Sequence, residues 1–187
     1  MKQIYVVITQ PKSSVASFLQ FFSHDEYNHS SILIDDENNM YSFGRKYQYF
    51  PFIGGFVKES PREGFFERTG AQTKCLIYQI DVTDEQYEQA KELIGEFIRN
   101  KEQYRYNLIG LVAIFFKLRW RRNHHFTCSQ FVGYILHNVN RDLVPTDYTI
   151  IKPIDFTGVD RARLVYRGTV SDMGRIFRKQ GLVAAAE

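Results

Sequence analysis

A chain of 187 residues with 44% apolar and 16% aromatic content has the length of one domain and enough apolar side chain to build a core without disulfides or metals. Those fractions, with charge of both signs spread along the chain, exclude a disordered or fibrous composition, and the formal net charge of +3, from 24 basic and 21 acidic residues, does not by itself call for nucleic acid. Two cysteines, Cys75 and Cys128, lie in neither a CxxC nor a Cys/His ligand spacing, so neither a zinc site nor any other metal or cofactor is expected.

Near the N-terminus, the apolar run of MKQIYVVITQPKSS is five residues long, too short for the core of a secretory signal. A reducing cytoplasm with both thiols free is the simplest expectation. The β-branched and aromatic IYVVIT, residues 4–9, predicts a buried strand closed by Pro11. Ser13 or Ser14 then caps a short amphipathic helix in VASFLQFF, and HSSILI, residues 29–34, reads as a second strand ended by the turn signal DDENN. MYSFGR, residues 40–45, returns as a third strand in a hairpin with the second, which leaves His29 at a strand start. Residues 46–74 are rich in aromatics, Gly and Pro without a steady period, and read as irregular chain with room for a short edge strand. Within them YQYFPFIGGF suits packing or a cover over a cleft, with hinge freedom at Gly54 and Gly55.

CLIYQIDV, residues 75–82, is the next strand, and Cys75 at its start reads as a small buried hydrophobe. Thr83 caps the best helix of the chain, with acidic residues in its first turn, basic ones in its last, and Tyr87, Ala90, Leu93, Ile94, Phe97 and Ile98 on one face. After Tyr106 and Asn107, LIGLVAIFF is apolar for nine residues before Lys117, against the roughly 20 needed to cross a bilayer. It reads as a buried helix, or as one resting on a membrane face with Lys117, Arg119, Arg121 and Arg122 near the headgroups. Nucleic acid is a third reading of KLRWRRNHH, and nothing else in the chain supports it. The C-terminal RARLVYRGTV adds a last strand, one domain spans residues 1–180, and residues 181–187 form a loose tail.

In FTCSQFVGYIL, residues 126–136, Phe131, Val132, Ile135, Leu136 and Val139 recur at helical spacing, so Cys128 stands at a helix N-terminus. There the unpaired backbone N–H groups and the helix dipole favour thiolate over thiol and can hold an oxyanion. A nucleophilic cysteine needs a base, and five histidines are available: His24, His29, His124, His125 and His137. His124 and His125 sit in a charged run, and His137 lies too far down the cysteine's own helix to reach back. His29, held on a strand, is the best candidate.

A histidine opening a strand (NHSSILID), a return strand (MYSFGR), a long middle section and then a cysteine at the head of an apolar helix resembles, over residues 25–140, the circularly permuted NlpC-type papain-like cysteine hydrolases. This group includes the YiiX-like proteins and is distantly similar to lecithin:retinol acyltransferase. The resemblance implies an α+β fold, an antiparallel sheet of about five or six strands with the cysteine helix packed on it. It implies Cys128 as nucleophile, His29 as base and a third polar residue on the following strand to orient the imidazole. Ser42, or less well Tyr41, occupies that place where Glu, His, Asn or Gln is usual.

The chemistry implied is acyl transfer through a thioester, with His29 taking the Cys128 proton and the N–H of Cys128 helping to hold the oxyanion. A peptide, another amide or a lipid acyl group is the expected substrate, and water, an amine or an alcohol the acceptor. The competing expectation is a binding module that keeps the scaffold without turnover, for which the weak orienting serine is the supporting feature.

Overall fold

The computed structural model describes residues 1–11, 25–34, 39–45 and 54–179. The helix predicted around residues 15–22, the turn after residue 34, the start of the aromatic stretch and the C-terminal tail fall outside these residues. The expected α+β class is what is found, with six antiparallel strands in the order β4-β3-β2-β1-β5-β8. These are β1 (Lys2–Gln10), β2 (His29–Leu33), β3 (Met40–Arg45), β4 (Gly54–Glu59), β5 (Lys74–Val82) and β8 (Ala162–Thr169). Two short segments, β6 (Arg105–Tyr106) and β7 (His125–Phe126), pair in parallel as a separate ribbon that the sequence did not announce.

β1 lies inside the sheet and pairs with β5 over nine positions. From Ile4 to Thr9 every residue is buried, because both faces of the sheet are covered. On one face lie α2 (Asp84–Arg99) and α4 (Cys128–Val139), which share a core with Ile4, Val6, Ile8, Ile32 and Phe43. Phe97 knits this layer, its ring 4.3 Å from that of Tyr104 and 4.9 Å from that of Phe131. The opposite face gathers Tyr5, Val7, Leu33, Met40 and Ile77 under Phe66 of α1 (Gly64–Thr69) and under Val170 and Met173 of α5 (Val170–Lys179). Neither α1 nor α5 was expected.

Local chemistry starts the two long helices where the sequence placed them. Thr83 and Gln86 form a reciprocal capping box on α2, and Thr127 and Gln130 form another on α4. Between β6 and β7, α3 (Leu108–Phe115) is capped by Asn107. Among the described residues no helix is long and apolar enough to cross a membrane.

The stretch expected to be irregular contributes the edge strand β4. Gly54 and Gly55 are not a hinge; they are buried in that strand opposite Arg45 and Gly44. A Cβ on Gly54 would stand 2.7 Å from the Gly44 carbonyl oxygen and 2.8 Å from Cβ of Tyr106, so the glycine makes room for β6 to approach the sheet.

Candidate active site

Cys128 is the first residue of α4, and its place is fixed by side chains on every side of the helix start. Gln130 accepts from the Thr127 N–H (3.1 Å) and from Nδ2 of Asn107 (3.1 Å), and donates to the Thr149 carbonyl (2.7 Å). Ser129 donates to the Ile151 carbonyl at 2.6 Å. Asn107 in turn caps α3 by accepting from the Gly110 N–H, so one amide ties the starts of two helices together.

His29 opens β2, as expected, and its ring hydrogen-bonds the Cys128 sulfur. The structure departs from expectation at the third residue. The buried Ser42 hydroxyl is spent on the Ser30 carbonyl, to which it donates at 2.7 Å. Tyr41 stacks on Phe56. The imidazole partner is Glu59, the last residue of β4, whose two oxygens each lie 3.0 Å from Nε2. Ser31 donates to the same carboxylate at 2.6 Å.

The register of the sheet explains why Glu59 reaches. Leu33 pairs with Met40 and Met40 with Glu59, so these three residues form a row on one face. Steps of two along β2 bring Ser31 and His29 to that face as well. On β3 the same alternation brings Gly44 there, and a Cβ on it would stand 3.9 Å from Oε1 of Glu59. That spacing is ordinary van der Waals contact, so the carboxylate passes over β3 beside Gly44.

Ser42 has a different task. β2 and β3 pair only at Ile32 with Tyr41 and Leu33 with Met40, whereas β3 continues on β4 to Arg45. Toward His29 the β2–β3 ladder is therefore open, and the backbone groups of Ser30 need other partners. Ser42 takes the carbonyl, and the Ser30 N–H donates to the Cys128 sulfur.

These contacts set the charges. Burial opposes ionisation of Cys128, but the hydrogen bond and charge of His29, with the N–H groups of Ser30 and Ser129, outweigh it and hold the thiol below its ordinary range. Burial likewise opposes the imidazolium, yet Glu59 and the Cys128 sulfur push His29 well above 6.5. Tyr106 also hydrogen-bonds the sulfur, and burial followed by the Cys128 charge drives its phenol upward. Cys75 is the contrast: buried in β5 and raised by burial alone, it stays a thiol.

Cys128 faces a cleft of about 950 Å³. Leu111, Val112, Phe115 and Phe116 line one side, Ile150 and Ile154 another, and the Lys152–Asp25 ion pair (2.9 Å) adds a charged spot. Asn28, beside His29, also lines the cleft, and both polar atoms of its amide are buried without a partner among the described residues. His124 and His125 lie on and beside β7, and His137 packs on Tyr148. His24 is outside the described residues.

The sequence pointed to Cys128 and His29 and missed Glu59. No local signal singled it out, since GFVKE sets two apolar residues before two charged ones without alternation.

No protein-family model matches the chain, and no curated protein does. Among solved structures, the metalloprotein YiiX from Escherichia coli O157:H7 aligns over 89% of this chain and 97% of its own, with a TM-score of 0.57 and 13% identity. Among the described residues of this chain, no three His, Cys, Asp or Glu side chains gather as a metal site. At that identity the likeness concerns the fold: this chain has a YiiX-like α+β fold.

Proposed function

We propose that this chain is a cysteine acyl hydrolase of the circularly permuted NlpC papain-like kind, with a more distant kinship to lecithin:retinol acyltransferase. Cys128 is the nucleophile, His29 the base and Glu59 the residue that orients and charges the ring. The observation that carries the reading is the hydrogen-bonded run from Cys128 through His29 to Glu59, opening on an apolar cleft. With Nε2 held by the carboxylate, Nδ1 is the nitrogen left for the sulfur.

In the first step the thiolate attacks the acyl carbonyl, forming the C–S bond while the carbonyl electrons move to oxygen. The N–H of Cys128 at the helix start supports that oxyanion, and the Tyr106 hydroxyl is a further donor within reach of the sulfur. Collapse breaks the bond to the leaving group, which takes the proton from His29 and leaves a thioester. His29 then takes a proton from water, or from an amine or alcohol acceptor, as that group attacks; the tetrahedral intermediate expels the thiolate.

An acyl group with an apolar chain suits the walls of the cleft better than a polar peptide does. The unpartnered Asn28 amide offers one donor and one acceptor to a polar group next to the scissile bond. The alternative of a catalytically silent binding module drew its support from Ser42 as a weak orienting residue. With Glu59 at the ring, that support is gone.

The test is incubation with p-nitrophenyl esters of increasing chain length, followed by mass spectrometry of tryptic peptides. The expected result is an acyl adduct on the Cys128 peptide, absent from that of Cys75, and a burst of nitrophenol lost in His29→Ala. Equal slow acylation of wild type and His29→Ala would sink the reading.

A further inference from the structure

The stretch 108–122 has a face that the fold leaves uncovered. Gly110, Ala113 and Ile114 of α3 turn inward, while Ile109, Val112, Phe115 and Phe116 are 48%, 54%, 45% and 63% exposed. No residue from 108 to 116 is polar, so the outer face of this helix lacks the polar stripe that a water-facing helix carries. Lys117 ends the helix in the left-handed region (φ 54°), and the Leu118 N–H closes the turn on the Ala113 carbonyl at 2.8 Å. Beyond it Leu118 and Trp120 are again exposed, at 58% and 47%. Six of the nine exposed large hydrophobic residues among those described thus lie between positions 109 and 120.

Cations are interleaved with them. Lys117, Arg119 and Arg121 are exposed and Arg122 half-buried, and the sequence holds no carboxylate between Glu102 and Asp142. Arg119 meets Asp147 in a loose pair at 3.5 Å. A contiguous apolar patch with a basic border marks an interaction surface, and its chemistry selects the partner. A bilayer with anionic headgroups matches both parts, since acyl chains take the apolar side chains and the headgroups take the cations. A second copy packed isologously would bring the two cationic borders onto the same interface, with no carboxylate in this stretch to offset them.

We infer that α3 and the segment through Arg122 form a docking face for an anionic membrane surface. Leu111, Val112, Phe115, Phe116 and Lys117 belong both to this stretch and to the lining of the cleft that contains Cys128, so the docked face sets the lip of the cleft against the lipid. The docking face stands independently of the chemistry at Cys128.

Trp120 is the sole tryptophan and reports directly on contact. The experiment is flotation with phosphatidylcholine vesicles, with and without phosphatidylglycerol, following Trp120 emission. Anionic vesicles are expected to bind the protein and shift its emission to the blue, and raising salt from about 0.1 M to about 0.5 M to weaken binding. Ile109→Glu and Leu118→Glu, whose side chains lie outside the cleft lining, are each expected to weaken binding by at least about tenfold while Cys128 labelling stays unchanged. The proposal is overturned if anionic vesicles leave the protein unbound and its emission unmoved. It is equally overturned if the blue shift appears without lipid as protein concentration rises, which would assign the face to a second copy, or if single-stranded oligonucleotide binds and anionic vesicles do not.

Discussion

Both oxygens of Glu59 lie 3.0 Å from Nε2 of His29, although β3 stands between the two strands that carry them. The side chains are largely sheltered, at 13% and 18% exposure, so the carboxylate charge acts on the ring with little screening. Glu59→Gln keeps the shape and removes the charge. The midpoint for iodoacetamide labelling of Cys128 is expected to rise by at least one pH unit, equal to about 1.4 kcal/mol of thiolate stabilisation. An unmoved midpoint would reduce Glu59 to a packing residue.

The same pair sets a pH window. Cys128 is held below its ordinary thiol range, so its thiolate survives to lower pH and is lost as pH falls through that lowered value. His29 is held well above 6.5, so the imidazolium persists until pH rises through that raised value. In linkage terms Cys128 contributes stability in full above the unfolded thiol value of about 8.5, and His29 in full below about 6.5. Hydrolysis is expected to follow a bell whose acid limb belongs to Cys128 and whose alkaline limb belongs to His29, apparent values being those of the pair. In Glu59→Gln the limbs should move toward each other, which a pH–rate profile of kcat/KM would show.

Ser42→Ala separates holding the backbone from orienting the ring. The Ser30 carbonyl would lose its partner at a buried position, a cost of about 1–3 kcal/mol in urea unfolding. The labelling midpoint of Cys128 should move less than in Glu59→Gln, because the carboxylate remains on His29. A Ser42→Ala protein of full stability would show that the open ladder needs no such support.

Gly54→Ala tests the approach of β6 to the sheet. The added Cβ meets the Gly44 carbonyl and Tyr106, and the backbone must shift to admit it. Thermal unfolding should show a loss of about 1–3 kcal/mol, the usual range for overpacking. Because Tyr106 lies at the sulfur, the rate of Cys128 labelling should change as well.

Much of this protein is legible in short windows of sequence. β1, β5 and α2 follow from local periodicity and capping, and helical spacing after Thr127 puts Cys128 at the helix start, which Asn107, Thr149 and Ile151 then hold in place. The strand start at His29 is readable for the same reason: the cues lie within a few residues of the element they specify.

The partner of His29 is not of that kind. Glu59 lies 30 residues away, and it reaches the ring because β3 folds between β2 and β4 in one register. Ser42, the expected third residue, is drawn off by a carbonyl that only the open ladder leaves without a strand partner. The sequence by itself determined where Cys128 and His29 stand on their own elements. Cross-strand register and the opening of one ladder decided which carboxylate completes the run, since such contacts depend on residues that pair only after the sheet has formed.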